Sequence, residues 1–377
     1  MHNINNKVAI FAPYFDNGGV ERMLVNLACG LSKRGIPVDF IVNHSHSEFL
    51  KDLTEPIKLI KLQEKNKIKI IKSFTKYIIN TQPKAILSAK EDCDIIATHA
   101  WKRSGKQSKL YIRAVVNTTQ QMMYRNIIRR YWSAWISRTI YRNADGIIAV
   151  SRGVADDIYK ISKPNIERIH VAPNPVITSD LFKKAQEELD HPWLTNHDKP
   201  VILGAGRLGR QKNFSMLISA FANARAKRPM RLIILGDGRR RERLLKQAEE
   251  LGIANDVFLP GFVKNPYAWI SRADLFVLSS LWEGSPNVLT EAMALGIPVI
   301  STDCPSGPSE LLGNGKYGML IPINDIDYMS HAIINTLDKP IKAEDLQKAV
   351  ENYTLENSVN NYMRIMKLNP SKIHSDT

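Results

Sequence analysis

Glu283-Gly-Ser-Pro-Asn-Val-Leu-Thr-Glu291 stands between two apolar runs, and its reading decides the fold. Ahead of it, Ala273-Asp-Leu-Phe-Val-Leu-Ser-Ser280 has the length and composition of a buried strand. Behind it, Ala292-Met-Ala-Leu-Gly296 reads as a short helix closed by glycine, and Ile297-Pro-Val-Ile-Ser301 as a second buried strand. A carboxylate therefore sits at the carboxyl end of a strand, followed by Gly, Ser, Pro and Asn opening a helix. The first turn of such a helix aims N–H groups without intrahelical partners, and a partial positive charge, at whatever lies before it, which suits a phosphate. A carboxylate repels that anion, so Glu283 and Glu291 fit neutral hydroxyls beside it. The spacing alone describes a capped helix with two surface acids equally well.

Working outward, strand-like apolar runs alternate with helical patterns from end to end, which predicts a doubly wound α/β protein. At 377 residues the chain exceeds one ordinary core and suits two domains. The alternation breaks between Pro175 and Lys199 into charged and turn residues, the expected boundary and hinge. The expected division is 1–175, 176–354, a closing helix at 355–369 and a frayed tail at 370–377.

Hydrophobic content of 44% and charged content of 24% exclude wholesale disorder. No apolar run approaches the roughly 20 residues that span a bilayer. Met1-His-Asn-Ile-Asn-Asn-Lys7 leads straight into a strand at Val8–Pro13 without a signal-peptide pattern. Cys29, Cys93 and Cys304 are odd in number and widely spaced, which argues against a disulfide framework or a zinc site and predicts buried thiols. These features predict a cytoplasmic protein. The net charge of +15 calls for an anionic substrate, a membrane surface or nucleic acid. No helix-turn-helix, zinc-finger or RNA-binding signature accompanies the charge, so no nucleic-acid partner is expected.

Two stretches carry the charge together with apolar residues. Lys65 to Tyr77 mixes lysines and aliphatics at helical spacing, as a surface helix or a helix on anionic lipid would. Met122 to Arg142 reads as one long helix bearing Tyr124, Arg125, Arg129, Arg130, Tyr131, Trp132, Trp135, Arg138, Tyr141 and Arg142. Its aromatics suit a membrane interface or a core face with snorkelling arginines, and a mixture of the two is expected. The expected contact with lipid is peripheral, at the inner face of the plasma membrane, held at low salt and released at high salt. Asp92-Cys93-Asp94 spells Asp-x-Asp but opens a helix, where acids serve the dipole and the cap. Asp325-Ile326-Asp327 is a second chance match, and His99 is expected to pack.

The second half opens with Val201-Ile-Leu-Gly-Ala-Gly-Arg-Leu-Gly-Arg-Gln-Lys-Asn-Phe214, a strand, a glycine turn and a helix start. Gly204, Gly206 and Gly209 spell Gly-x-Gly-x-x-Gly, but the acid that holds a dinucleotide ribose about 20 residues later is absent from Phe221–Pro229. The loop instead carries Arg207, a flat fork for two phosphate oxygens, and Lys212, a compact point charge. Two fixed cations suit a departing diphosphate. Near the start, Gly18 and Gly19 between the first strand and its helix let the backbone approach a ligand.

Trp282 to Ile300 resembles the signature of the retaining glycosyltransferases of family 4, which carry a Glu-x7-Glu motif. The resemblance covers most of the chain and is densest from 201 to 313. It implies the GT-B architecture, two Rossmann-like domains facing across a cleft, and a nucleotide-diphosphate-sugar donor, here a UDP-sugar. It implies that Arg207 and Lys212 hold the diphosphate, that Glu291 accepts the ribose hydroxyls and Glu283 those of the sugar, and that Gly284, Ser285, Pro286 and Asn287 cover the phosphates. Arg207, Lys212 and Glu283 form the implied catalytic set, with no metal and no other cofactor. Gly18-Gly19-Val20-Glu21 matches the family's Gly-Gly-x-Glu run facing the donor. Leu259–Val263 matches the region facing the base, which nominates Phe262 and Val263. The family's donor-side histidine is replaced by Val116 beside Asn117, and Ser306–Glu310 resembles a turn near the donor. The closing helix, Asn357 to Lys367, matches the segment that crosses back onto the first domain.

The implied reaction moves a hexose or N-acetylhexosamine onto a growing lipopolysaccharide, capsule or polyprenyl-linked glycan. The rivals are a nicotinamide-dependent oxidoreductase, a non-catalytic basic protein of the same fold, and a related epimerase.

Overall fold

The computed structural model describes residues 6–369 except 17, 46, 125 and 197, and gives no side chain for residue 129. The tail from Pro370 and the position of Arg125 lie outside the described residues. The chain divides into two compact units, Met1–Pro175 with Leu355–Thr377, and Val176–Thr354.

The first unit runs β1 (Val8–Phe11), α1 (Gly19–Lys33), β2 (Val38–Val42), β3 (Lys58–Lys61), α2 (Lys67–Thr81), β4 (Ala85–Ala89), α3 (Glu91–Arg103) and β5 (Lys109–Ala114). It continues with α4 (Thr118–Met123), α5 (Ile127–Asn143), β6 (Gly146–Ala149), α6 (Arg152–Ser162) and β7 (Ile169–Val171). The second unit runs α7 (Ser179–Ala185), α8 (Pro192–Thr195), β8 (Val201–Ala205), α9 (Phe214–Arg225), β9 (Arg231–Leu235), α10 (Arg241–Glu250), β10 (Val257–Gly261) and α11 (Pro266–Ile270). It ends with β11 (Leu275–Leu278), α12 (Asn287–Ala294), β12 (Val299–Thr302), α13 (Pro308–Leu311), β13 (Met319–Ile321), α14 (Ile326–Asp338) and α15 (Ala343–Ala349). The closing helix α16 (Leu355–Ile365) belongs to the first unit.

Among the described residues each unit holds one parallel sheet, ordered β3-β2-β1-β4-β5-β6-β7 in the first and β10-β9-β8-β11-β12-β13 in the second. The strands are short apolar runs because helices cover both sheet faces. In β1, Val8 and Ile10 join a core with α1 and α16, while Ala9 and Phe11 join the opposite core with α2, α3, α5 and α6. In the second unit Ile202 faces α9, α10 and α14, and Val201 and Leu203 face α12, α13 and α15. Tyr362 of α16 is fully buried, and its hydroxyl accepts from buried Arg113 of β5 at 2.8 Å.

Several expectations need correction. The helix read from Met122 to Arg142 is two helices: Asn117 caps α4 by accepting from Gln120 N at 3.0 Å, and α5 begins afresh after it. Asn117 is a helix-start signal that lies ahead of the apolar pattern. The segment 175–199 contains α7 and α8, whose N-termini are capped by Thr178 and His191. His99 is exposed rather than packed, because its neighbours Ile96, Ala97 and Ala100 already take the core-facing side of α3. Asp94 does not serve the helix end at the surface: it is buried, and burial raises its carboxyl pKa well above the usual carboxylate value. Asp92 pairs with Lys67 at 3.2 Å, and Asp325 caps α14 by accepting from Tyr328 N. Cys93 and Cys304 are buried, whereas Cys29 is half-buried.

Candidate functional site

Ligands of open parallel sheets lie outside the carboxyl ends of the strands, where the strand order reverses. In the second unit the order reverses between β8 and β11. The two loops leaving those strands, 206–213 and 279–286, are the ones that carry Arg207, Lys212 and Glu283.

The two loops are bonded to each other along their length. Leu281 N donates to Gln211 O at 2.8 Å, Gln211 Nε2 to Trp282 O at 2.9 Å, and Ser279 Oγ to Lys212 O at 2.7 Å. Lys212 Nζ donates to Glu283 Oε1 at 2.7 Å, and Ser280 Oγ donates to the same oxygen at 2.7 Å. Their side chains are 17% and 8% exposed, so this ion pair is largely withdrawn from water. Thr302 of β12 fixes Ser280 from behind through its carbonyl, at 2.6 Å. The pair gives Glu283 a defined position and leaves the lysine's other two protons available to a further acceptor. Arg207 differs. Its side chain is exposed and, among the described residues, makes no hydrogen bond or ion pair.

Close backbone packing surrounds these groups. Gly206 N donates to Leu235 O at 2.9 Å and Gly236 N to Gly261 O at 2.8 Å, which ties together the loops after β8, β9 and β10. Gly236 has φ +124°, and a Cβ there would lie 2.1 Å from Gly206 O. Phe262, on the third of these loops, is 52% exposed, while Val263 packs half-buried against the core. The helices α9 and α12 that follow the two switch-point loops both start without a side-chain cap. Gly284 and Pro286 are buried, and Ser285 and Asn287 half-buried, at the mouth of α12; Glu291 lies further along it, half-buried.

Cys304 is buried with Glu283 close by, and both effects, burial first, push its thiol pKa upward. It stays a thiol. Burial pushes Tyr353 up to about 12, with Glu310 adding to the rise and a hydrogen bond to Ser285 opposing it.

The turn at Ser306–Glu310 acquires a place. Gly307 has φ +93°, and a Cβ there would lie 2.6 Å from Gly284 O, so the turn supports the carbonyl beside Glu283. Gly307→Ala is expected to cost about 1–3 kcal/mol through the forbidden backbone conformation and to displace the Glu283 loop. Thermal unfolding and donor titration of the variant measure the two effects.

In the first unit the strand order reverses between β1 and β4. Gly18 caps α1 and Gly19 is its first residue. Buried Glu21, on the same helix, accepts from Asp16 N and pairs with Lys90, the residue between β4 and α3. Lys90 has φ +85°, a strained conformation for a side-chain-bearing residue. Neither the Glu21–Lys90 pair nor the bracing of Glu283 by Ser280 and Thr302 was foreseen. The signal for Ser280 was its place at the end of the strand before Glu283.

The acid that follows the Gly-x-Gly-x-x-Gly loop stands later in the chain than residues 221–229. Residues 221–229, the region the motif's spacing points to, are the second half of α9 and its exit. The second strand ends at Leu235, and Asp237 follows it, its Oδ1 accepting from Gly238 N at 2.7 Å. An acid does stand at that strand end, so the glycine motif with its following acid fits a dinucleotide ribose as well as a diphosphate.

Comparison with known proteins decides the family. The family model described as Glycosyltransferase Family 4 matches residues 17–180, and that described as Glycosyl transferases group 1 matches 185–353. The chain belongs to glycosyltransferase family 4. It is similar, at 31% identity, to the N-acetylgalactosamine-N,N'-diacetylbacillosaminyl-diphospho-undecaprenol 4-alpha-N-acetylgalactosaminyltransferase of Campylobacter jejuni, over 64% of this chain and 63% of that one, so the match stops short of two thirds of the relative's length. It is 25% identical to the lipopolysaccharide core biosynthesis glycosyltransferase LpsE of Rhizobium meliloti over 84% of this chain and 85% of that one. Among solved structures, Anabaena HepE in complex with UDP-glucose superposes with a TM-score of 0.77 at 18% identity, over 96% of this family 4 chain and 98% of HepE. The GT-B fold expected from the resemblance is the fold of these neighbours.

Proposed function

We propose that this family 4 chain is a retaining glycosyltransferase that moves a hexose or N-acetylhexosamine from a UDP-sugar to a growing glycan carried on lipid, of the lipopolysaccharide, capsule or polyprenyl-linked type. One observation carries the reading: the loop after β8 holds Arg207, whose exposed side chain makes no hydrogen bond or ion pair among the described residues, together with Lys212, which pairs with Glu283 of the loop after β11, and the helices that follow both loops start without side-chain caps.

Arg207 and a free proton of Lys212 bind the donor diphosphate and neutralise the charge that grows as the sugar C1–O bond breaks. Glu283, held by Ser280 and Lys212, accepts from the sugar hydroxyls. Glu291 takes the ribose hydroxyls, Gly284 to Asn287 cover the phosphates, and Phe262 and Val263 face the base. The acceptor oxygen forms its bond to C1 on the face the diphosphate leaves, and its proton passes to the departing phosphate oxygen. No step needs a metal ion or another cofactor. The relatives named for undecaprenyl-linked and lipopolysaccharide glycans support the choice of acceptor.

The basic surface, exemplified by the acid-free helix α2, supports peripheral residence on the anionic inner face of the plasma membrane, and a sequence without a helix-turn-helix, zinc-finger or RNA-binding signature favours lipid over nucleic acid as the anionic partner. The expected product keeps the anomeric configuration of the donor sugar. Proton NMR of the purified product reads it from the anomeric coupling, and an inverted centre overturns the mechanism.

A further inference from the structure

Helix α5 has two apolar faces. Ile136, Ile140 and Tyr141 turn one of them into the core of the first unit. Ile127, Ile128, Tyr131, Trp132 and Trp135 recur at positions i, i+1, i+4, i+5 and i+8 and form a second stripe, each 65% to 79% exposed. The core-facing side is supplied by other residues, so among the described residues most of the surface of this second stripe is left uncovered. Contiguous exposed side chains of this size mark an interaction surface.

The charges choose the occupant. No acidic residue occurs from Thr118 to Asn143, and Arg130 and Arg138 are exposed on α5 itself. Helix α2 lies in the same helical layer, also lacks acids, and exposes Lys69, Lys72 and Lys76. A second copy of the chain, docked through this face about a two-fold axis, would bring the cations of both copies together. An anionic bilayer meets those cations with phosphate headgroups and accepts Trp and Tyr at the boundary between headgroup and acyl chain, the depth they favour. Among the described residues no helix is long and apolar enough to cross a membrane, so the helix lies in the plane of the surface.

We propose that α5 is an in-plane membrane anchor that inserts Ile127, Ile128, Tyr131, Trp132 and Trp135 into the acyl boundary of an anionic phospholipid leaflet. The proposal rests on the membrane contact argued above for its choice of partner, and not on the transfer chemistry. It turns an electrostatic contact into insertion by named side chains.

The tryptophans provide the readout, because of the six in the chain only Trp132 and Trp135 are exposed. Full-length protein is mixed with vesicles of phosphatidylcholine and phosphatidylglycerol whose acyl chains are brominated. The expected result is a blue shift and a loss of the exposed-tryptophan emission, both absent with phosphatidylcholine alone. The double variant Trp132→Ser/Trp135→Ser is expected to lose the shift, the quenching and flotation with the vesicles. Its far-UV circular dichroism and its thermal shift with donor should stay those of the parent protein.

Parent protein that floats with the vesicles but shows neither shift nor quenching overturns insertion and leaves only adsorption. Equal quenching in phosphatidylcholine vesicles overturns the requirement for an anionic leaflet. A parent dimer that the double variant splits shows that a second copy covers the face, and overturns the proposal. Loss of the donor-induced thermal shift in the parent protein would count against the transferase reading alone.

Discussion

Arg207→Ala is expected to lower kcat/KM for sugar transfer by roughly 10²–10³-fold, the usual cost of removing one charge-stabilising donor from a transition state. Its melting temperature should hardly move, because the guanidinium is exposed and bonded to nothing inside the protein among the described residues. That combination separates it from a structural residue. Arg207→Lys restores the charge but not the two-pronged geometry, so partial rescue is expected. Steady-state kinetics beside thermal unfolding tests both parts. A variant that loses stability in step with activity would assign Arg207 to the scaffold.

The second large effect concerns the ion pair. Glu283→Ala leaves Lys212 with little water and no counter-charge. The expected destabilisation is about 2–3 kcal/mol, below the roughly 3–5 kcal/mol for half of a wholly buried pair, because the lysine end keeps some solvent contact. Activity is lost as well, since the sugar hydroxyls lose their acceptor. The double variant Lys212→Met/Glu283→Gln removes both charges and should recover most of the stability without recovering transfer. Denaturant unfolding of Lys212→Met, Glu283→Gln and the double variant gives the coupling directly. Strictly additive losses of stability would mean that the 2.7 Å contact contributes nothing.

The legible part of the site was the part written locally. Arg207 and Lys212 lie within one loop, Glu283 follows its strand by a few residues, and hydrophobic alternation placed both strands before them. What stayed hidden depended on where distant segments meet. Nothing in the sequence says that Lys212 Nζ and Glu283 Oε1 share a hydrogen bond, because the β8/β11 pairing that brings them together joins residues about seventy positions apart. The same holds for Glu21 and Lys90.

Asp237 shows the opposite failure. Counting residues from the glycine motif put the strand end too early, because the long loop from Gly206 to Asn213 delays helix α9. The aromatics of α5 were read as partly core, since periodicity cannot separate a buried stripe from an exposed one on the same helix. The structure assigns Tyr131, Trp132 and Trp135 to the exposed stripe and Tyr141 to the buried one.

Isothermal titration of the full chain with uridine, UMP and UDP, each with and without EDTA, tests the diphosphate cradle most directly. The account predicts that UDP binds far more tightly than UMP, that EDTA changes neither affinity, and that Arg207→Ala erases most of the difference between the two nucleotides. Equal affinity for UMP and UDP, or loss of UDP binding in EDTA, would contradict it.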